Sequence, residues 1–344
     1  MRRTFWNFIS DQWSKQQPVL KVDLTGKTVL VLGANTGLGF EATKHFATNN
    51  PARLILACRS QSKGQAALNK LKTATGYSKA ELWIVDLAEF ESVKQFADRF
   101  ERDGGRLDIL VENAAVAAPK YEATKDGWEA SLEVNYLSTS LFALLLLPAM
   151  IKTAQQHSTI PRLVFVSSGA HYEVEIEKNV RENPDMTKTL GSSEYCTKKK
   201  MMSRYQLTKL LNLFFARALN DRLLRSTPLI IDAVSPGYCY SELRREFTGI
   251  LAFIDSLMER LLALTTEEGS RHVVWAALAR QEDPDVLRGQ YISNCQIQEV
   301  SDFILAPEGV KAQDQLWDEL VDILGKVDLR VTATVDEYLS SVVA

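Results

Sequence analysis

The chain has 344 residues, 46% apolar and 24% charged, with a net charge of −3, a composition that excludes a disordered chain and allows one large core. The small negative charge excludes the basic surface that nucleic-acid binding requires. Cys58, Cys196, Cys239 and Cys295 lack C-x-x-C spacing and His45, His157, His171 and His272 are scattered, so neither a disulfide framework nor a metal site is expected.

A reducing compartment fits this cysteine usage, and a cytoplasmic location is the expectation. Residues 1–22 form an N-terminal extension in which Phe5, Trp6, Phe8 and Trp13 suggest a short helix packed on the body of the protein. Contact with a membrane surface or a hydrophobic substrate is the alternative for this segment. Its apolar run is too short for a signal peptide, and the longest in the chain, residues 141–147, is too short to span a bilayer.

Residues 28–32 (T-V-L-V-L) give the first strand signal, followed by a glycine-rich turn and a helix over 38–47. Strand signals recur at 53–57, 81–85, 107–111, 162–166, 229–234 and 289–293. Helical composition lies between them at 62–73, 91–102, 131–150 and 205–224; in 91–102, Val93, Phe96, Ala97 and Phe100 share one face. Strands alternating with helices imply βαβ units. The expected fold is α/β: a single doubly wound domain with a seven-stranded, mostly parallel sheet and helices on both faces. No linker or repeat divides residues 23–344. Ligands of such folds bind beyond the carboxyl ends of the strands.

The turn after the first strand reads Gly33-Ala34-Asn35-Thr36-Gly37-Leu38-Gly39. Glycines let the backbone approach a pyrophosphate, and the helix that follows offers N–H groups and a positive dipole end. The second strand ends at Cys58-Arg59 with Lys63 close behind. A carboxylate there would bind a ribose 2′-hydroxyl; Arg59 and Lys63 instead suit a 2′-phosphate, hence NADP (NADPH) rather than NAD. Asp86 and Asn113, ending the third and fourth strands, are candidates for the adenosine side of the cofactor.

Tyr205 and Lys209 stand at i and i+4 on one face of an apolar helix. A cation beside a phenol favours its ionised form and so tunes it for proton transfer. Tyr195 and Lys199 have the same spacing, but no amphipathic helix follows them. Ser168, at the end of the fifth strand, lies further out than Ser167 and is the better donor to a substrate oxygen. Asn135 is an unexpected polar residue in a leucine-rich helix. It either fixes a water leading to Lys209 or satisfies a backbone kink.

This ordered set, Gly33-x-x-x-Gly37-x-Gly39, Asp86, Asn113-Ala114, Asn135, Ser168, Tyr205-x-x-x-Lys209 and Pro236-Gly237, resembles the short-chain dehydrogenase/reductase family over residues 23–305. The resemblance implies a Rossmann-type fold and a catalytic set of Asn135, Ser168, Tyr205 and Lys209. It also implies that Lys209 binds the nicotinamide ribose and that Cys239 and Ser241 cover the nicotinamide. Ala57-Cys58-Arg59, Ser168-Gly169-Ala170-His171 and the tail from Gly289 to Trp317 are similar to the retinol-dehydrogenase-like branch, whose members prefer NADP(H) and lipophilic substrates. Similar sequences are common in fungal secondary-metabolite pathways.

The expected partner is therefore a small lipophilic carbonyl or alcohol. A homodimer through helices 131–150 and 205–224 and a monomer covered by the extension and tail both fit. Leu32, Glu112 and Ala115 depart from the family pattern, and residues 173–200 form an unusually long segment expected to be a loop or lid beside the substrate pocket. The alternatives to a hydride-transferring oxidoreductase are a non-catalytic dinucleotide-binding protein and an enzyme performing net epimerisation or dehydration.

Overall fold

Successive side chains of a strand point to opposite faces, and in β1 (Thr28–Leu32) Val29 and Val31 enter one core while Leu30 and Leu32 enter another. The computed structural model describes residues 5–103, 105–240 and 259–340. The further strands are β2 (Arg53–Cys58), β3 (Ala80–Ile84), β4 (Ile109–Glu112), β5 (Arg162–Val166), β6 (Ile230–Ser235), β7 (Tyr291–Ser293) and β8 (Gln296–Gln298). They form one sheet in the order β3-β2-β1-β4-β5-β6-β7-β8. All neighbours pair in parallel except β7 and β8. The order reverses on either side of β1, which opens a crevice at the carboxyl ends of β1 and β4.

The longer helices are α1 (Phe5–Gln12), α2 (Gly37–Thr48), α3 (Gln61–Thr75), α4 (Phe90–Arg102), α5 (Ser138–His157), α6 (Arg204–Arg222), α7 (Thr266–Leu278), α8 (Pro307–Val327) and α9 (Leu329–Tyr338). Buried residues of α2, α3 and α7 cover one face of the sheet. Those of α4, α5, α6, α8 and α9 cover the other. Burial on both faces explains why the strands read as continuous apolar runs.

Three expectations need correction. The sheet has eight strands, not seven. Asn294 and Cys295, both at φ 55, make the two-residue turn that returns the chain antiparallel. Such a turn favours Asn-Gly, and cysteine in the second place conceals it. The helix expected at 131–150 runs from Ala130 to His157 and passes through Pro148. Met150, Ile151, Thr153 and Ala154 beyond the proline are buried, so packing outweighs the lost N–H. This helix is long and apolar enough to cross a membrane, yet 89% of its most apolar window is buried inside the protein.

The segment 173–200 is not an open loop. It carries short helices at Lys178–Arg181, Met186–Gly191 and Lys198–Met201. Ile176, Val180, Met186 and Leu190 are buried. On α8, Glu319 accepts from the Met186 and Thr187 N–H groups at 2.9 and 2.6 Å. Gln315 Nε2 donates to the Asn183 carbonyl at 2.6 Å. At the N-terminus, α1 docks through Phe8 and Gln12, and Trp13, just after it, donates its indole N–H to the Leu261 carbonyl at 3.2 Å. Trp6 and Trp13 are 76% and 71% exposed.

Candidate active site

Two glycines in the first turn of α2 are needed for different reasons. Gly37 has φ +57, a conformation that L side chains rarely adopt, and a Cβ there would face open space. At Gly39 a Cβ would sit 2.3 Å from the Gly33 carbonyl oxygen and 2.5 Å from Asn113 Nδ2. Gly33 N–H donates to the Ala57 carbonyl at 2.7 Å, tying the turn to the end of β2. Asn113 donates to the Leu32 and Gly33 carbonyls at 3.2 and 3.1 Å. The expected adenosine contact thus has its amide N–H groups engaged in shaping the turn. Thr36 precedes α2 without a side-chain cap, so it does not occupy the helix's first N–H groups.

Arg59 and Lys63 are both exposed at the start of α3, and neither has an ion-pair partner among the described residues. Ser60, between them, caps α3 by accepting from the Lys63 N–H at 3.3 Å. Sequence reasoning missed Ser60, although a serine before a helix is a capping signal. Asp86 lies two residues past β3; its carboxylate accepts from the Ala88 N–H at 3.0 Å. Glu112 is 3% exposed, and among the described residues neither carboxyl oxygen has a hydrogen-bond partner. Burial pushes its pKa well above the carboxylate range.

Lys209 is 3% exposed. Its ammonium donates to the Val166 carbonyl at 2.6 Å and lies 5.5 Å from the centre of the Tyr205 ring. Burial pushes its pKa down to about 7. Ser167, buried, donates to the Lys209 carbonyl at 3.0 Å, which fastens α6 to the end of β5. Ser168 is half-buried one residue further out, and its Oγ accepts from the Ala170 N–H at 3.2 Å.

Asn135 sits within a π-helical turn, Glu133–Leu137. Its side chain clamps the Val116 peptide, accepting from N–H and donating to C=O at 2.8 Å each, and donates to Thr208 Oγ1 at 3.0 Å. Thr208 in turn donates to the Tyr205 carbonyl at 2.8 Å. The π turn bears on the backbone-kink expectation. The Asn135 carbonyl accepts from Asn212 Nδ2 at 2.7 Å.

Tyr195 has different surroundings. Its hydroxyl donates to Glu177 at 2.9 Å, Lys200 lies 5.2 Å from its ring, and burial pushes its pKa up.

Two further groups escaped the sequence reading. Arg204, immediately before Tyr205, is 2% exposed and donates to Glu129 at 2.6 Å. Glu129 also accepts from the Ser131 and Leu132 N–H groups at 2.9 Å each. One buried ion pair therefore joins the start of the Tyr205 helix to the start of the Asn135 helix. Ser235, ending β6, accepts from Gly169 N–H at 3.1 Å and Gly237 N–H at 3.3 Å. It links the Ser168 turn to the Pro236-Gly237 turn. Cys239 is buried, with its thiol donating to the Pro236 carbonyl at 3.2 Å. Ser241 lies outside the described residues. Among the described residues no group of three or more His, Cys, Asp and Glu could hold a metal ion.

A doubly wound parallel sheet whose first strand feeds a glycine turn and a helix N-terminus is the architecture of dinucleotide-binding proteins. The family profile described as short chain dehydrogenase matches residues 27–178. The short chain dehydrogenase/reductase dmxR8 of Cryptosporiopsis sp. (strain 8999) is 34% identical over 330 residues, 95% of this chain and 99% of that protein. The short-chain dehydrogenase anuD of Penicillium roqueforti (strain FM164) is 35% identical over 326 residues, 92% and 82% of the respective chains. The crystal structure of L-sorbose reductase from Gluconobacter frateurii, complexed with NADPH and L-sorbose, shares the fold. Its TM-score is 0.59 at 18% identity, covering 80% of this chain and 97% of that one. The chain belongs to the short-chain dehydrogenase/reductase family and is an oxidoreductase of that family.

Proposed function

We propose that the protein is an NADP(H)-dependent oxidoreductase that interconverts a carbonyl and an alcohol on a small lipophilic substrate, with Tyr205 as acid and base. The observation that carries this reading is the buried Lys209 ammonium 5.5 Å from the Tyr205 ring. A cation held beside the ring favours the ionised phenol. Tyr205 gives its phenolic proton to the substrate oxygen in reduction and takes it back in oxidation. Ser168 Oγ donates a hydrogen bond to the same oxygen as charge develops there. Asn135 holds the helix beneath Tyr205 through Thr208.

The glycine turn fits a dinucleotide: side chains are barred at Gly39 by 2.3 Å and open space lies before Gly37. Gly33, Asn35, Gly37, Leu38 and Gly39 would hold the pyrophosphate with backbone N–H groups. Arg59 and Lys63 would hold the 2′-phosphate, as their exposure and their lack of ion-pair partners among the described residues support. Asp86 and Asn113 would flank the adenosine, Lys209 and Tyr205 the nicotinamide ribose, and Cys239 with Ser241 the nicotinamide. When bound, the nicotinamide supplies or accepts the hydride at the substrate carbon.

The test is titration of the purified protein with NADPH and NADH, then a screen of lipophilic aldehydes, ketones and alcohols by the absorbance of reduced nicotinamide. Tighter NADPH binding and carbonyl-dependent loss of that absorbance are expected. Binding without turnover across the panel would overturn the enzymatic reading in favour of a sensor. Product without net NADPH consumption would point to epimerisation or dehydration.

A further inference from the structure

The proposed chemistry makes no use of α1, yet α1 is tied to the body by contacts that span most of the chain. Gln12, its last residue, is 7% exposed. Its Oε1 accepts from the Tyr238 N–H at 3.0 Å, and its Nε2 donates to the Tyr238 and Leu262 carbonyls at 2.7 and 2.9 Å. Phe8, one turn earlier, meets the Tyr238 ring edge-on with centroids 6.1 Å apart. After the helix, Ser14 Oγ accepts from Asn294 Nδ2 at 2.9 Å, and the Gln16 carboxamide meets His272 Nε2 at 2.7 Å. His272 Nδ1 lies 3.2 Å from the Ser235 carbonyl.

The Gln12 and Phe8 contacts, with His272 beside Ser235, converge on the backbone that leaves β6. Residues 236–240 have left the sheet and have no full ladder of their own. Gly237 is at φ +80, and a Cβ there would come within 3.0 Å of Gln12 Oε1. Tyr240 N–H donates to the Leu264 carbonyl at 3.1 Å, and Leu264 N–H to the Tyr238 carbonyl at 2.8 Å. Gln12 supplies the remaining partner, for the Tyr238 N–H. A buried peptide group needs such a partner. Ser235 Oγ accepts from both Gly237 and Gly169, so movement of this backbone reaches the turn that carries Ser168.

We infer that Gln12 is a positioning residue: through Tyr238 it fixes the 236–240 backbone that faces the nicotinamide half of the cofactor. The inference rests on the cofactor reading above. Its consequence is selective, because the adenosine half meets the glycine turn and the start of α3, which Gln12 does not touch.

The experiment compares wild type, Gln12→Ala and Gln12→Glu for binding of NADPH and of adenosine 2′,5′-bisphosphate, which carries only the adenosine half. Gln12→Ala is expected to weaken NADPH about tenfold, the scale of one net hydrogen bond lost. It should leave the bisphosphate unchanged. In Gln12→Glu a carboxylate would face two carbonyl oxygens, so NADPH binding should be weaker than in wild type at neutral pH. It should recover as the pH falls and the buried carboxyl gains a proton to donate. Equal weakening of both ligands in Gln12→Ala, or none in either variant, would overturn the inference while leaving the cofactor reading intact. Wild-type protein that binds neither ligand would overturn that reading and this inference with it.

Discussion

Lys209→Met should yield a protein that is more stable and inactive. In the folded protein burial pushes the Lys209 pKa from its ordinary value of 10.5 down to about 7. Between those values the unfolded chain binds more protons than the folded one. Stability therefore rises with pH from about 7 toward 10.5, and the contribution is withheld below about 7. A depression of this size corresponds to about 4–5 kcal/mol. Methionine has a similar length and no charge, so it removes that cost. It also forfeits the 2.6 Å hydrogen bond to the Val166 carbonyl, worth about 1.5–3 kcal/mol for a charged donor. The expected net gain near pH 7 is about 2 kcal/mol.

The assay is urea denaturation of cofactor-free wild type and variant near pH 7 and near pH 10. Wild type should gain stability with pH relative to the variant. Groups common to both proteins cancel in the comparison, such as Tyr77 and Cys295, whose pKa values burial pushes up to about 12. A variant less stable than wild type at pH 7, or one with the same pH dependence, would refute the reasoning.

The remaining predictions concern the turn, the 2′-phosphate, the buried ion pair and the second tyrosine. Gly39→Ala places a methyl 2.3 Å from a backbone oxygen; NADPH binding by calorimetry should fall by more than about tenfold. Arg59→Ala should raise the KM for NADPH about tenfold or more and leave that for NADH unchanged in steady-state assays. Glu129→Ala strands the buried Arg204 guanidinium, and denaturant melts should show a loss of about 3–5 kcal/mol. Tyr195→Phe removes the hydrogen bond to Glu177. It should cost about 1 kcal/mol in the same melts and leave turnover untouched.

Local pattern made the sheet legible. β1 and β5 lie where their apolar runs begin and end, because strands buried on both faces leave no polar interruption. The apolar helix after Tyr205 was equally plain, since α6 is buried on nearly every side. Features that depend on distant partners were not legible. Arg204 reads as a surface charge until Glu129, 75 residues away in sequence, is brought against it. Gln12 reads as a solvated helix end, and only the folded chain delivers Tyr238 and Leu262 to its carboxamide. The π turn at Asn135 leaves no mark in periodicity beyond one polar residue among leucines.

The most direct measurement is single-turnover reduction of a carbonyl substrate by NADPH in wild type and Tyr205→Phe, with NADPH binding measured on both. The account predicts near-equal binding and a loss of reduction of about 10²–10⁴-fold in the variant. Reduction at the wild-type rate by Tyr205→Phe would contradict it.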